Sequence, residues 1–448
     1  MRLHAGAGAV HWGRWQLQAL KALIPTTRER RTERVLLVGA ELKHRSALEV
    51  ADSLEELAEL VRTAGGQVMG RVTQRLEHPN PGTFIGSGKA REIAERCRAE
   101  AVDTVVFDDE LSPAQGRTLE AVIGAKVLDR TEVILDIFAQ RARTREGKLQ
   151  VELAQLQHLL PRLRRYWTHL SRQRGGLGAI GGEGESQLEA DRRKVQERID
   201  RLKIELEEVR RQRATQRQGR RRHHWPLASL VGYTNAGKST LFNALTRAGV
   251  LEEDRLFATL DPTTRLVRLP TNQKVLLSDT VGFIRKLPHQ LVEAFKATLE
   301  EVVNADLLLH VVDASHPRAA EQIAAVNAVL AELGVADTPV LMVLNKVDLL
   351  PEPGALVAWR EQHPRAVAVS ARTGAGLEDL LDALGNVLRP AREFLELVIP
   401  HTEAAAVARL HEVGQIVSRE YNGETARFRV RLPPHTRGEF ARFLVAEL

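Results

Sequence analysis

A chain of 448 residues is long enough for two or three domains, each with its own core. Its 43% hydrophobic and 27% charged residues read as a water-soluble globular protein, and the lone Cys97 excludes a disulfide framework and a cysteine-rich zinc site. No apolar run approaches the roughly 20 residues of a membrane span, while the formal net charge of +6 points to a polyanionic partner.

Residues 1–33 carry two tryptophans, Trp12 and Trp15, and a basic run that begins at Arg28; they read as a mobile basic tail, with a transit peptide lacking serine as the alternative. The pattern changes at Arg34. Arg34 to Val38 reads as a strand, Ser53 to Arg62 as a capped amphipathic helix, Thr104 to Phe107 as another strand and Pro113 to Ile123 as a helix. This alternation predicts a small α/β domain over residues 34–143. Within it, Gly86-Ser87-Gly88-Lys89 resembles a phosphate loop but lacks the spacing, and is read as a turn leading into a helix.

Residues 144–222 carry two heptad patterns. Leu149, Leu153, Leu156, Leu160 and Leu163 step by four and three, and Leu188, Val195, Ile199, Leu202, Leu206 and Val209 continue the register beyond a gap. Two helices packed along these seams form an antiparallel hairpin. The gap, residues 175–184, is too rich in glycine for helix and is expected as a loop at the hairpin's tip. Arg162, Arg164, Arg165, Arg172 and Arg174 surround Tyr166 and Trp167 just before it, a combination of guanidinium groups and stacking surfaces suited to folded RNA. The second helix ends in Arg210 to Arg222, which contains seven arginines.

Residues 223–389 contain the strongest signal. An apolar run, Leu227 to Val231, opens into Gly232-Tyr233-Thr234-Asn235-Ala236-Gly237-Lys238-Ser239, after which the helical pattern resumes at Leu241. This is a phosphate-binding loop between a strand and a helix. Its backbone N–H groups can wrap a phosphate, Lys238 supplies charge for the β- and γ-phosphates, and Ser239 offers a hydroxyl to Mg²⁺. Asp279-Thr280-Val281-Gly282 ends a second apolar run, placing one carboxylate near Mg²⁺ and Gly282 near the γ-phosphate. Lys238 and Gly282 are therefore the candidate catalytic residues. Asn345-Lys346-Val347-Asp348 ends a third run, and an aspartate there can accept two hydrogen bonds from guanine that adenine cannot offer. The expected ligand is GTP or GDP. Ser370-Ala371-Arg372 would add a backbone N–H for the guanine O6.

Between loop and carboxylate lies Phe257-Ala258-Thr259-Leu260-Asp261, the place for a first switch whose threonine joins Ser239 on Mg²⁺; by spacing, Thr263 and Thr264 compete with Thr259. Phe283 follows Gly282 where many GTPases hold a glutamine that orients the attacking water, so slow intrinsic hydrolysis is expected. Asn235 could contribute an amide oxygen to a potassium ion bridging the phosphates, although asparagine is also common in turns for its backbone tolerance. Residues 390–448 alternate strand and helix patterns (Leu395 to Ile399, Glu403 to His411, Ala426 to Leu432, Thr436 to Leu444), enough for a small α+β module. The expected fold class is thus α/β: a P-loop GTPase domain with a mostly parallel sheet, preceded by a small α/β domain and an antiparallel helical hairpin, and followed by a small α+β domain.

These residues together resemble the HflX GTPases, ribosome-associated members of the translation-factor-related class. The likeness rests on Glu110 to Gln115, Asp129 to Gln155, the glycine loop leading into Gln187-Leu188-Glu189, Phe257 to Asp261 and Asp279 to Phe283. The resemblance implies the domain order above and a Mg²⁺-dependent GTP hydrolase that binds the large ribosomal subunit. It also implies a glycine-rich tip aimed at the peptidyl-transferase region and GTP-dependent splitting of stalled ribosomes under stress, and it favours Thr259 as the switch threonine. Glu183-Gly184-Glu185-Ser186 departs from the family's Pro-Gly-Glu-Thr, adding negative charge where RNA is expected. The alternative class is a GTP-dependent regulatory switch, or a partner in RNA modification or assembly, acting through a protein effector. A monomer is expected, located in the cytoplasm with ribosome or membrane-surface association as a further option.

Overall fold

The computed structural model describes residues 32–43, 45–163, 183–221, 225–246, 256–257, 259–271, 273–286, 299–350, 353–388, 393–432 and 436–447. Residues 1–31, the tip segment 175–182, Ala258, and Arg164, Arg165, Tyr166, Trp167, Arg172 and Arg174 lie outside the described residues. The chain divides into two compact units with the boundary between Gln140 and Arg141.

The first unit is a parallel sheet in the order β2-β1-β3-β4, built from β1 (Arg34–Leu42), β2 (Gln67–Leu76), β3 (Thr104–Phe107) and β4 (Lys126–Asp129). Helices α1 (Ala47–Ala64), α2 (Ser87–Ala99), α3 (Pro113–Ile123) and α4 (Arg130–Arg141) connect or follow the strands. The α1 helix starts earlier than its apolar pattern suggests, because Ser46 and Glu49 form a capping box at its start. Ser53, taken from sequence as the cap, sits buried inside the helix, where its hydroxyl donates to the buried Asp108 at 2.7 Å. Gly86 does lead directly into α2.

The second unit begins with a helical hairpin, α5 (Arg145–Leu163) and α6 (Glu183–Arg221). Leu149, Leu153, Ile199, Leu202 and Leu206 form its buried seam, with Leu156, Leu160 and Val195 packed against them. The leucine and isoleucine positions recur every three or four residues, so each helix turns the same stripe inward. Because α6 begins at Glu183, Glu183 and Gly184 belong to its backbone and not to a glycine loop.

A six-stranded sheet follows in the order β10-β9-β8-β5-β7-β6: β5 (Leu227–Gly232), β6 (Thr263–Arg268), β7 (Lys274–Asp279), β8 (Leu307–Asp313), β9 (Val340–Asn345) and β10 (Val367–Ala368). All neighbours are parallel except the edge pair β6 and β7. The central strand β8, LLLHVVD, is buried along its whole length, as a strand covered on both faces must be. Among the described residues, helices α7 (Lys238–Thr246), α8 (Glu300–Val303), α9 (Ala319–Glu332), α10 (Pro353–Gln362) and α11 (Leu377–Val387) belong to this domain. The chain ends in an antiparallel sheet, β12-β13-β11-β14, formed by β11 (Glu393–Pro400), β12 (Gln415–Asn422), β13 (Thr425–Leu432) and β14 (Leu444–Glu447), with α12 (Ala404–Val413) and the short α13 (Arg437–Phe440). The stretch from Thr436 to Leu444 is not one helix as its sequence pattern suggests; it divides into α13, a 3-10 turn and the start of β14. Among the described residues no helix is long and apolar enough to cross a membrane.

Candidate active site

The nucleotide motifs meet at the C-terminal ends of the parallel strands, where open α/β sheets bind their ligands. At the end of β5, Gly232 has φ of 151°, and a side chain there would collide with the Val311 carbonyl of β8. The loop that follows is pinned at its rim to the end of β7. Thr234 N–H donates to the Phe283 carbonyl at 2.8 Å, and Phe283 N–H donates to the Gly232 carbonyl at 3.1 Å. Lys238, buried at the start of α7, donates from Nζ to the carbonyls of Gly232 at 3.1 Å and Tyr233 at 2.8 Å. Burial lowers its pKa to about 8, with the Asp279 carboxylate pulling the other way. Gly282 makes this crowding tolerable: a Cβ there would stand 2.9 Å from Thr234 Cα and 3.0 Å from Lys238 Nζ. Ala236, Thr280 and Val281 are buried around the loop.

Three oxygen donors converge beside it. Ser239 Oγ lies 2.8 Å from Thr259 Oγ1 and 2.8 Å from Asp279 Oδ2, and Thr259 Oγ1 lies 3.1 Å from that same carboxylate oxygen. The other oxygen, Asp279 Oδ1, is buried without a hydrogen-bond partner. Burial pushes the Asp279 pKa up, while Lys238 and the two hydroxyls oppose the shift. Two hydroxyls and a carboxylate with a spare buried oxygen fit a hard cation such as Mg²⁺. Of the competing threonines, Thr264 donates instead to Ser278 Oγ at 3.3 Å, and Thr263 begins β6. Phe257 and Leu260 are buried on either side of the switch segment, with Phe257 at φ of 55°. Asp261 lies outside the donor cluster; its carboxylate receives the N–H groups of Arg143 and Thr144, each at 2.9 Å, and the Thr144 hydroxyl.

The phosphate loop and the loops after β9 and β10 are joined by one side chain. Asn345, buried at the end of β9, donates from Nδ2 to the Ala236 carbonyl at 2.9 Å and accepts from Ala371 N–H at 3.0 Å. Gly237, at φ of 89°, leaves the space this amide occupies. Lys346 adopts φ of 63° and pairs through Nζ with Asp313 Oδ2 at 2.8 Å, a partner the motif itself does not show. Val347 and Asp348 lie in a 3-10 turn, with Asp348 exposed. Ser370 is buried and its Oγ receives Thr373 N–H at 3.2 Å, while Arg372 is exposed. Asn235 is exposed at φ of 60°. Tyr233 adds a contact not legible in the motif, its hydroxyl receiving Arg285 N–H at 2.9 Å.

Three family models match the chain: "GTP-binding GTPase N-terminal" over residues 51–139, "GTP-binding GTPase Middle Region" over 141–220, and "50S ribosome-binding GTPase" over 228–346. The GTPase HflX of Lacrimispora saccharolytica is 49% identical over 389 residues, covering 87% of this chain and 91% of that protein. This chain belongs to the HflX GTPase family. The HflX of Magnetococcus marinus is 50% identical over 86% of this chain and 89% of its own length, and that of Escherichia coli K12 is 48% identical over 85% and 90%. A solved GTP-binding protein from the archaeon Sulfolobus solfataricus, in complex with GDP, is 26% identical and covers 80% of this chain and 98% of its own, with a TM-score of 0.42. The HflX family's reaction is the hydrolysis of GTP to GDP and phosphate, with Mg²⁺ accompanying the nucleotide.

Proposed function

We propose that this GTPase binds the large ribosomal subunit in its GTP form and uses GTP binding and hydrolysis to dissociate stalled or stressed ribosomes. The observation that carries the reading is the state of Phe283. The residue is 2% exposed, and its backbone is paired on both sides with the phosphate loop, so an apolar ring is fixed next to Gly282. Such a ring cannot orient water. In this reading the group that orients the water is supplied by the partner. The match to a family described by 50S ribosome binding and the helical hairpin supply the kind of partner.

In this reading Lys238 leaves its carbonyl partners for the β- and γ-phosphates, and Gly282 gives its N–H to the γ-phosphate. Ser239, Thr259 and Asp279 would hold Mg²⁺, which would supply charge neutralisation for phosphoryl transfer. Asp348 reads guanine, with Asn345 and the Ser370 to Arg372 loop bracing the pocket. Arg162, Arg164, Arg165, Tyr166, Trp167, Arg172 and Arg174 are the proposed RNA contacts. Asn235 is a proposed potassium ligand at the phosphates.

Steady-state GTP hydrolysis in potassium and in sodium buffer, with and without purified large subunits, tests this reading. A slow basal rate should rise by about 10³ or more with subunits. Potassium should outperform sodium in the wild type but not in Asn235→Ser. A rate indifferent to subunits would overturn the ribosomal role, and equal rates in both salts for the wild type would remove potassium.

A further inference from the structure

The first helix of the hairpin has an incomplete cap. Thr144 is its N-cap residue: its Oγ1 accepts from Gly147 N–H at 3.0 Å, the bond that starts a capping box. The reciprocal bond needs a carboxylate or amide three residues on, reaching back to the cap's own N–H. That position is Gly147, which has no side chain. The carboxylate is supplied from 117 positions away by Asp261: Oδ2 accepts from the N–H groups of Arg143 and Thr144 at 2.9 Å each, and Oδ1 from the Thr144 hydroxyl. Gly147 also makes room for it, since a Cβ built there would overlap the Asp261 carboxylate.

Asp261 is two residues beyond Thr259, whose hydroxyl lies among the donors that fit Mg²⁺. Only Leu260, buried at 2%, separates them. The carboxylate that completes the hairpin's first turn is therefore carried on the same short segment as the threonine of the nucleotide site. A segment that leaves the metal must take its carboxylate with it and leave two N–H groups and one hydroxyl at the base of the hairpin without their acceptor.

We propose that Asp261 is a positioning residue that couples the first switch to the base of the hairpin: the closed switch completes the cap, and the completed cap holds the switch closed. The coupling is reciprocal, so a hairpin held in place, as by a bound partner, favours the GTP-bound switch. This rests on the assignment of Thr259 to the metal, and its test needs no ribosome, so it fails separately from the splitting role.

The test compares affinities for GDP and for a non-hydrolysable GTP analogue, with Mg²⁺, in the isolated full-length protein. Gly147→Ala is the decisive variant. Alanine is the better helix former, so the hairpin's own helicity should hold or rise, while the added methyl displaces Asp261. Its affinity for the GTP analogue should fall about tenfold relative to GDP. Asp261→Ala should show the same loss, Thr144→Val a partial one, and Thr144→Ser, which keeps the hydroxyl, none. Unchanged GDP affinity reports an intact fold in each case. The proposal is overturned if Gly147→Ala and Asp261→Ala keep the wild-type ratio of the two affinities, which would leave Asp261 as a cap and nothing more.

Discussion

Lys238 is held in the phosphate loop by two backbone carbonyls, and burial has lowered its pKa to about 8. Phosphate oxygens would replace the carbonyls and restore the ammonium form, so above pH 8 nucleotide binding must draw in a proton. The affinity for GDP should be level from pH 7 to 8 and then fall, by about tenfold per pH unit at the limit. Fluorescent-nucleotide titrations from pH 7 to 9 would show it, with calorimetry in two buffers measuring the proton taken up; a flat profile would contradict the assignment. For the free protein the sign is opposite. A lysine whose pKa is lowered on folding opposes folding below pH 8, and that penalty fades between pH 8 and its ordinary value. At this scale the sequence was a good guide: Gly232, Gly237, Lys238, Ser239, Asp279 and Asn345 converge as their motifs require, because each motif carries its own local geometry. The partners Asp313 and Thr144 were not legible, since each is fixed by tertiary approach and not by spacing.

At the scale of elements, hydrophobic period located much of what is strongly buried, though not the fully buried β8, and missed the exposed edges. The hairpin seam and β5, β7 and β9 were legible from apolar spacing. Strand β2 was not: it lies at a sheet edge and alternates between half-buried and exposed residues. Edge strand β12 carries Arg419, Glu420 and Tyr421 exposed, and β4 has only four residues. In the hairpin, packing should outweigh charge. Leu202 is fully buried in the seam, whereas Arg198 reaches Glu152 by two bonds of 2.7 and 2.8 Å at a site where both side chains are about two-fifths exposed. Leu202→Ala should cost about 2–4 kcal/mol, and Arg198→Ala no more than about 1 kcal/mol. Hydrogen exchange at the amides of Leu149 to Leu160 measures both; equal losses would mean that the ion pair carries the hairpin.

For the whole molecule, the proposed function brings together three parts of the second unit: a site with its donor oxygens gathered, Phe283 beside Gly282, and a hairpin whose first turn is completed by the segment that carries Thr259. A protein so arranged should act on its partner in the GTP form and be reset by hydrolysis. The most direct measurement is light scattering of intact ribosomes mixed with the protein and either a non-hydrolysable GTP analogue or GDP, with an anti-association factor present to prevent rejoining. The account predicts a fall in scattering, as subunits separate, with the GTP analogue and little change with GDP. Ribosomes that stay whole with both nucleotides, while the protein still binds the large subunit, would contradict it.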